Sequence, residues 1–123
     1  MGQNMNLPPI YKSIRLDPEL LALVADRIYP NKAPLDVATP YIVWQGIGSN
    51  PANTMDCGAT SENANIQIVV WHTNIREAEN IRHLASKALE KAGLYYVGQH
   101  PDNEDTETKL HGRGWDMNWW VDR

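Results

Sequence analysis

Hydrophobic positions change period along this chain, and the changes mark its elements. Pro8-Pro9 open a short helix through about Leu16, with Ile10, Tyr11 and Ile14 on one side. Proline at the first helical position loses no hydrogen bond there. Asp17-Pro18-Glu19 reads as an N-cap, a helix-starting proline and a first-turn acid. Leu20, Leu21, Leu23 and Val24 carry that second helix to near Asp26. Pro30 and Pro34 make the next stretch extended or loop. Residues 40–47, PYIVWQGI, are mostly β-branched and aromatic and predict the first strand. The polar run 48–63, rich in Gly, Asn, Ser and Thr, predicts a long loop, and loops of that length in compact domains tend to be functional or mobile. Residues 65–72, NIQIVVWH, predict the second strand.

The period then switches to helical. Asn74 with Glu77 three residues on has the form of a capping box. Ile75, Ala78, Ile81, Leu84, Ala85, Ala88, Leu89 and Ala92 make one apolar stripe, and Gly93 suits the left-handed C-cap position. At ~1.5 Å per residue this helix crosses a small sheet. Residues 94–98 predict a third strand, 100–107 an acidic loop, and 114–122 a last strand with near-strict alternation. In that strand Trp115, Met117, Trp119 and Val121 share one face, opposite Asp116, Asn118 and Asp122. The order implies an α+β fold: an antiparallel sheet of about four strands, with the long helix and the two short N-terminal helices packed on one face. We expect one domain over residues 1–123.

A sheet covered on one side should present a polar outer face, and three strands do not. Val69 and Trp71 oppose Ile66, Ile68 and Val70; Trp120 interrupts a polar face; Ile42 and Trp44 oppose Tyr41 and Val43. Large exposed aromatics would together exceed the apolar patch of an ordinary monomer. Trp44, Val69, Trp71 and Trp120 are therefore the candidate subunit-interface residues. An alternative is that the N-terminal helices cover the second face.

Composition adds three points. Five Trp and five Tyr with no Phe favour aromatics with a polar handle, which are enriched at protein interfaces, although a Phe-free core can also simply use Trp. The net charge of −4 and scattered Lys and Arg argue against sequence-specific DNA binding. The lone Cys57, the absence of a signal-like start and the absence of a long apolar run imply a cytoplasmic protein without a membrane span.

Tests for chemistry give no site. His72, His83, His100, His111 and Cys57 have no metal-ligand spacing, and the loop Asp102-Asn103-Glu104-Asp105 lacks the glycine and closing glutamate of a calcium loop. Residues 112–114, GRG, are followed by no helix that would bind phosphate. We expect no catalytic residue, metal or cofactor.

Four places along the chain carry a family resemblance. They are Leu20 to Pro30, ending DRIYP; Ala33-Pro34 followed by Pro40 to Gln45; QIVVW at 67–71 leading into the helix of Glu77 and Ala78; and the Trp-rich strand from Arg113 to Val121. In order and spacing they resemble the tail-completion proteins of long-tailed bacteriophages, the tail-terminator and tail-to-head joining group. The polar run 48–63 and the acidic loop match no signature of that group. The resemblance implies a virion structural protein, not an enzyme. It would form a hexameric homo-oligomer ring at the head-proximal end of the tail tube. There it would end tube polymerisation and meet the head connector protein, after virus assembly in the bacterial host cytoplasm. DNA would pass through without specific binding, which suits an acidic chain. The lumen- or partner-facing candidates are Asn53 and Asp56 in the polar run, and Asp102, Glu104, Asp105 and Glu107 in the acidic loop. Two other readings stay open: a head-side connector, neck component or tail-tube subunit, and a small-ligand-binding or enzymatic domain with the tryptophans as a pocket.

Overall fold

The computed structural model describes the backbone at residues 8–54 and 58–122, and side chains at 8–48 and 63–120. Two short helices, α1 (Ile10–Arg15) and α2 (Pro18–Val24), precede a three-residue strand β1 (Ile28–Pro30). Then come β2 (Tyr41–Thr54), β3 (Gly58–His72), α3 (Ile75–Lys91), β4 (Tyr95–Gln99), β5 (Asn103–Asp105) and β6 (Leu110–Asp122). The expected caps form. The Asp17 carboxylate accepts from the backbone N–H groups of Glu19 at 2.9 Å and Leu20 at 3.2 Å. The Asn74 side chain accepts from Glu77 N–H at 3.0 Å, and Gly93 takes φ +103° just past α3.

The sheet runs β1-β2-β3-β6-β4, with β5 paired to β6. The fold is α+β, as expected, but the sheet has six strands and is mixed. β1 lies parallel to β2 and every other pairing is antiparallel. β1 escaped the sequence pattern because three residues ending in proline carry no period. Arg27 fixes it from behind: Nε donates to Pro40 O at 2.9 Å and an Nη to Leu23 O at 3.0 Å, joining the end of α2 to the start of β2.

The helices supply Ile10, Ile14, Leu20, Val24, Ala78, Ile81, Ala85 and Leu89 to one core, against Ile42, Ile66, Ile68, Val70, Trp115 and Met117 of the sheet. All are buried, and each Ile, Leu or Val contributes about 1.5–3 kcal/mol relative to exposure. The helix-side face is the one the alternation of β6 predicted.

The run 48–63 is not a loop. β2 continues to Thr54 and β3 begins at Gly58, pairing residue by residue from Tyr41↔Trp71 to Thr54↔Gly58 with irregularities at Gly46/Gly48 and Ala52/Asn53. β6 follows the same arm outward, to Ser61↔Asp122. Ile66 is the outermost β3 residue in the core. Beyond it nothing requires apolar alternation, because the arm is held by ladder hydrogen bonds and not by a helix layer. The acidic stretch likewise contains a strand: β5 pairs Asn103↔Gly112, Glu104↔His111 and Asp105↔Leu110.

Candidate assembly surface

The sheet face opposite the helices carries Tyr41 and Val43 from β2, and Val69 and Trp71 from β3. The register sets Tyr41 beside Trp71 and Val43 beside Val69. On the far side of β3 their neighbours are Gly112 and Gly114 of β6. With no side chain at either glycine, Trp71 and Val69 lean across β6 there. A Cβ at Gly112 would stand 2.8 Å from Cη2 of Trp71, and one at Gly114 would stand 3.2 Å from a Val69 methyl. All four apolar residues are half-buried. A cleft of about 670 Å³ opens beside them, walled by Pro34, Leu35, Tyr41, Val43, Trp71 and Leu110. Leu35 at its rim is 94% exposed. Burial, and then the negative charge of Asp105, hold the Tyr41 phenol above its ordinary pKa.

The four interface candidates therefore divide between faces. Val69 and Trp71 lie on the outer face. Trp120 is 48% exposed and pairs with Asn63 out on the arm. It is eight positions from Gly112 along β6, or ~27 Å at about 3.4 Å per residue, so Trp71 and Trp120 stand at opposite ends of the face. Trp44 points the other way. It pairs with Ile68 and packs against the core, because β2 turns Ile42 and Trp44 toward the helices.

The acidic candidates also part company. Arg113 sits on the helix side of β6, opposite Val70, and is buried. Its Nε donates to Glu79 of α3 at 3.0 Å, and an Nη donates to Glu104 of β5 at 2.9 Å. Asp102 lies 3.6 Å from the same Nε. Arg82 of α3, also buried, pairs with Glu79 and donates to Gly114 O at 3.4 Å. His111 bonds the other Glu104 oxygen. Two buried arginines thus clasp three half-exposed carboxylates and tie β5 to α3 and β6. Hydrogen bonds from Arg113 and then His111 hold the Glu104 carboxyl below its ordinary range. The Arg113 guanidinium loses some basicity to desolvation, but Glu104, Asp102 and Glu79 more than restore it, leaving a net rise. Asp105 instead closes its own turn, accepting from Glu107 N–H at 3.0 Å and Thr108 N–H at 3.4 Å; the bonds from Thr108 come first in lowering its pKa. Glu107 is exposed. Asn53 is a β2 residue opposite Ala59, and Asp56 lies outside the described residues. The arginine clasp was missed, although alternation places Arg113 on the same face as Trp115 and Met117, where a charge demands partners.

His72 meets Glu77 at 2.9 Å and His100 meets Asp116 at 2.5 Å. Among the described residues no group of three or more His, Cys, Asp or Glu could hold a metal ion. No helix of the described residues is long and apolar enough to cross a membrane.

Residues 8–122 match the model of the tail completion protein gp17 family. The chain belongs to that family. The resemblance read from the four sequence segments is thus the family the comparison finds. Two solved structures share the fold of this tail completion protein. One is a chain in the virion of a native gene transfer agent particle, with TM-score 0.65 and 18% identity, covering 93% of this chain and 92% of that one. The other is the gp17 protein of bacteriophage SPP1, with TM-score 0.52 and 18% identity, covering 91% and 85%. No curated protein sequence matches the chain. The family makes the chain a phage virion component with a structural role in the tail.

Proposed function

We propose that this tail completion protein closes the head-proximal end of the tail tube as a homo-oligomeric ring, ends tube polymerisation and joins the tail to the head connector. The observation that carries this reading is the outer sheet face. Tyr41, Val43, Val69 and Trp71 lie half-buried with no helix of the described residues over them, and Trp120 stands as a separate exposed aromatic out on the arm. Such a surface is stable in water once a neighbour covers it. A heterologous contact repeated around an axis closes a ring and consumes both patches. Family membership and the likeness of the fold to a virion chain support the same setting.

The net charge of −4, with Lys and Arg scattered along the chain, suits a ring that DNA passes without a cluster of cations to pin its phosphates. The β2–β3 arm, with Asn53, and the β5 segment with its following turn, bearing Asp102, Glu104, Asp105 and Glu107, face the lumen or a partner. Asp105 and Glu107 have no clasp to hold and are the freer of these acids.

Mass measurement across a concentration series, with micrographs of the protein alone and with tail tubes, tests this. Rings, alone or on tube ends, are expected. A strictly monomeric protein that leaves tube ends bare and growing overturns it.

A further inference from the structure

Among the described residues two edges of this sheet end without a partner, and they differ in kind. β4 closes one side of the sheet and, among the described residues, pairs only with β6. Its side chains are exposed, Tyr95 at 61%, Tyr96 at 44% and Val97 at 56%. An irregularity between Tyr96 and Gly98 bends it, but neither lysine nor proline, the stronger guards of edge strands, lies on it. On the other side β1 covers β2 only from Ile42 to Trp44 and ends in Pro30, after which Asn31 N–H takes Trp44 O and the chain leaves. From Gln45 to Thr54, β2 pairs with β3 alone among the described residues. Its first exposed stretch includes Ile47, 46% exposed.

Resting on the ring reading above, we propose that the β4 edge of one subunit pairs with the free β2 edge of the next, so that the sheet continues from copy to copy. The two edges lie at opposite ends of one sheet, which makes the contact head-to-tail and able to close. β6 runs with β2, and β4 runs against β6, so a head-to-tail repeat sets β4 antiparallel to its new partner. The five residues of β4 fit within the stretch of β2 left open from Gln45 to Asn50, ahead of Pro51, which has no N–H to donate. The occupant also suits the ground beside the edge. Between β4 and α3 lies a groove of about 370 Å³ walled by Glu79, His83, Ser86, Lys87, Glu90 and Tyr96. The arm sequence GSNPANT at 48–54 is short-chained, uncharged and able both to donate and accept. The pairing satisfies backbone groups on both edges and covers Tyr95, Val97 and Ile47, as in strand addition generally.

Cysteine cross-linking of the full chain tests this. In a Cys57→Ser background, Ile47→Cys and Val97→Cys lie three strand spacings apart within one subunit, ~14 Å, too far for an internal disulfide. Mild oxidation of the assembled double variant is expected to give a ladder of covalent multimers, with single-cysteine variants giving none. Separately, Val97→Lys is expected to raise the concentration needed for assembly at least tenfold, with an unchanged circular dichroism spectrum. Val97→Lys assembling like wild type overturns the edge pairing alone. A wild type that never assembles overturns the ring reading along with it.

Discussion

The indole of Trp71 lies against the backbone of Gly112, so closely that a Cβ there would sit 2.8 Å from two of its ring carbons. The ring is the far end of a side chain on the outer face, but it is wedged between Tyr41 and β6. Gly112→Ala is expected to push it outward and to cost about 1–3 kcal/mol, the usual range for overpacking. A lower denaturant midpoint with an altered tryptophan emission spectrum would record both effects. An unchanged midpoint would mean that the indole moves freely.

Arg113 is buried and meets Glu79 and Glu104 within 3.0 Å. Arg113→Met keeps much of the volume and removes both charge-assisted bonds, costing about 2–3 kcal/mol. The cost stays below that of breaking a fully buried pair, because the three carboxylates are half-exposed and can turn to water. Amide exchange should rise first in β5, which the clasp ties to α3. Uniform loss across the sheet would assign the arginine to general packing.

The clasp also sets a pH dependence. Arg113 and then His111 depress the Glu104 pKa in the fold below the ordinary 4.5. A depressed folded pKa gives stability that is complete above the unfolded value and lost as pH falls through the folded one. Stability should therefore decline below about pH 4.5, and Glu104→Gln should flatten that part of the profile while lowering stability at neutral pH. Asp105 titrates in the same direction, so Asp105→Asn is the companion measurement. A Glu104→Gln profile parallel to wild type would mean the clasp has no thermodynamic weight.

The elements that pack against the core were legible because burial imposes a period. The α3 stripe, the Asn74 cap and the alternation of Trp115, Met117 and Trp119 led straight to the observed layers. The arm was not legible, since a two-faced polar ladder imposes no period and its Gly, Asn and Ser residues look like loop. β1 was too short, and β5 was hidden by carboxylates that reach Arg113 across the sequence. At the candidate surface, Val69, Trp71 and Trp120 lie on the outer face and Trp44 on the face toward the core. The sequence alone does not make that division, because two apolar faces in β2 cannot be ranked without knowing which one meets the helices.

Ala25 takes φ +53° and ψ −119° after α2, with Arg27 N–H bonded to Val24 O at 2.9 Å. That is the first central position of a type II′ turn, which glycine fills without strain. Ala25→Gly is expected to stabilise the fold by about 1 kcal/mol, because relief of the backbone outweighs the added freedom of the unfolded chain. A higher melting temperature checks it, and a lower one would show the turn to be unstrained.

Trp115 and Trp120 are five residues apart on one strand and should fail in opposite ways. Trp115 is fully buried among Ile68, Met117 and the α3 side chains. Trp115→Ala should cost about 3–5 kcal/mol, the range for deleting a buried aromatic, and should be seen as loss of cooperative unfolding. Trp120 is half-exposed out on the arm, where it supports no core contact. Trp120→Ala should leave the unfolding midpoint within about 0.5 kcal/mol of wild type, as surface changes do. If Trp120 is covered by a neighbour, the same substitution should shift assembly to higher concentration, since interface tryptophans carry a large share of binding energy. Paired unfolding and sedimentation curves separate the two effects. Trp120→Ala that leaves both curves in place would remove the arm from the assembly surface and leave Val69 and Trp71 as its apolar centre.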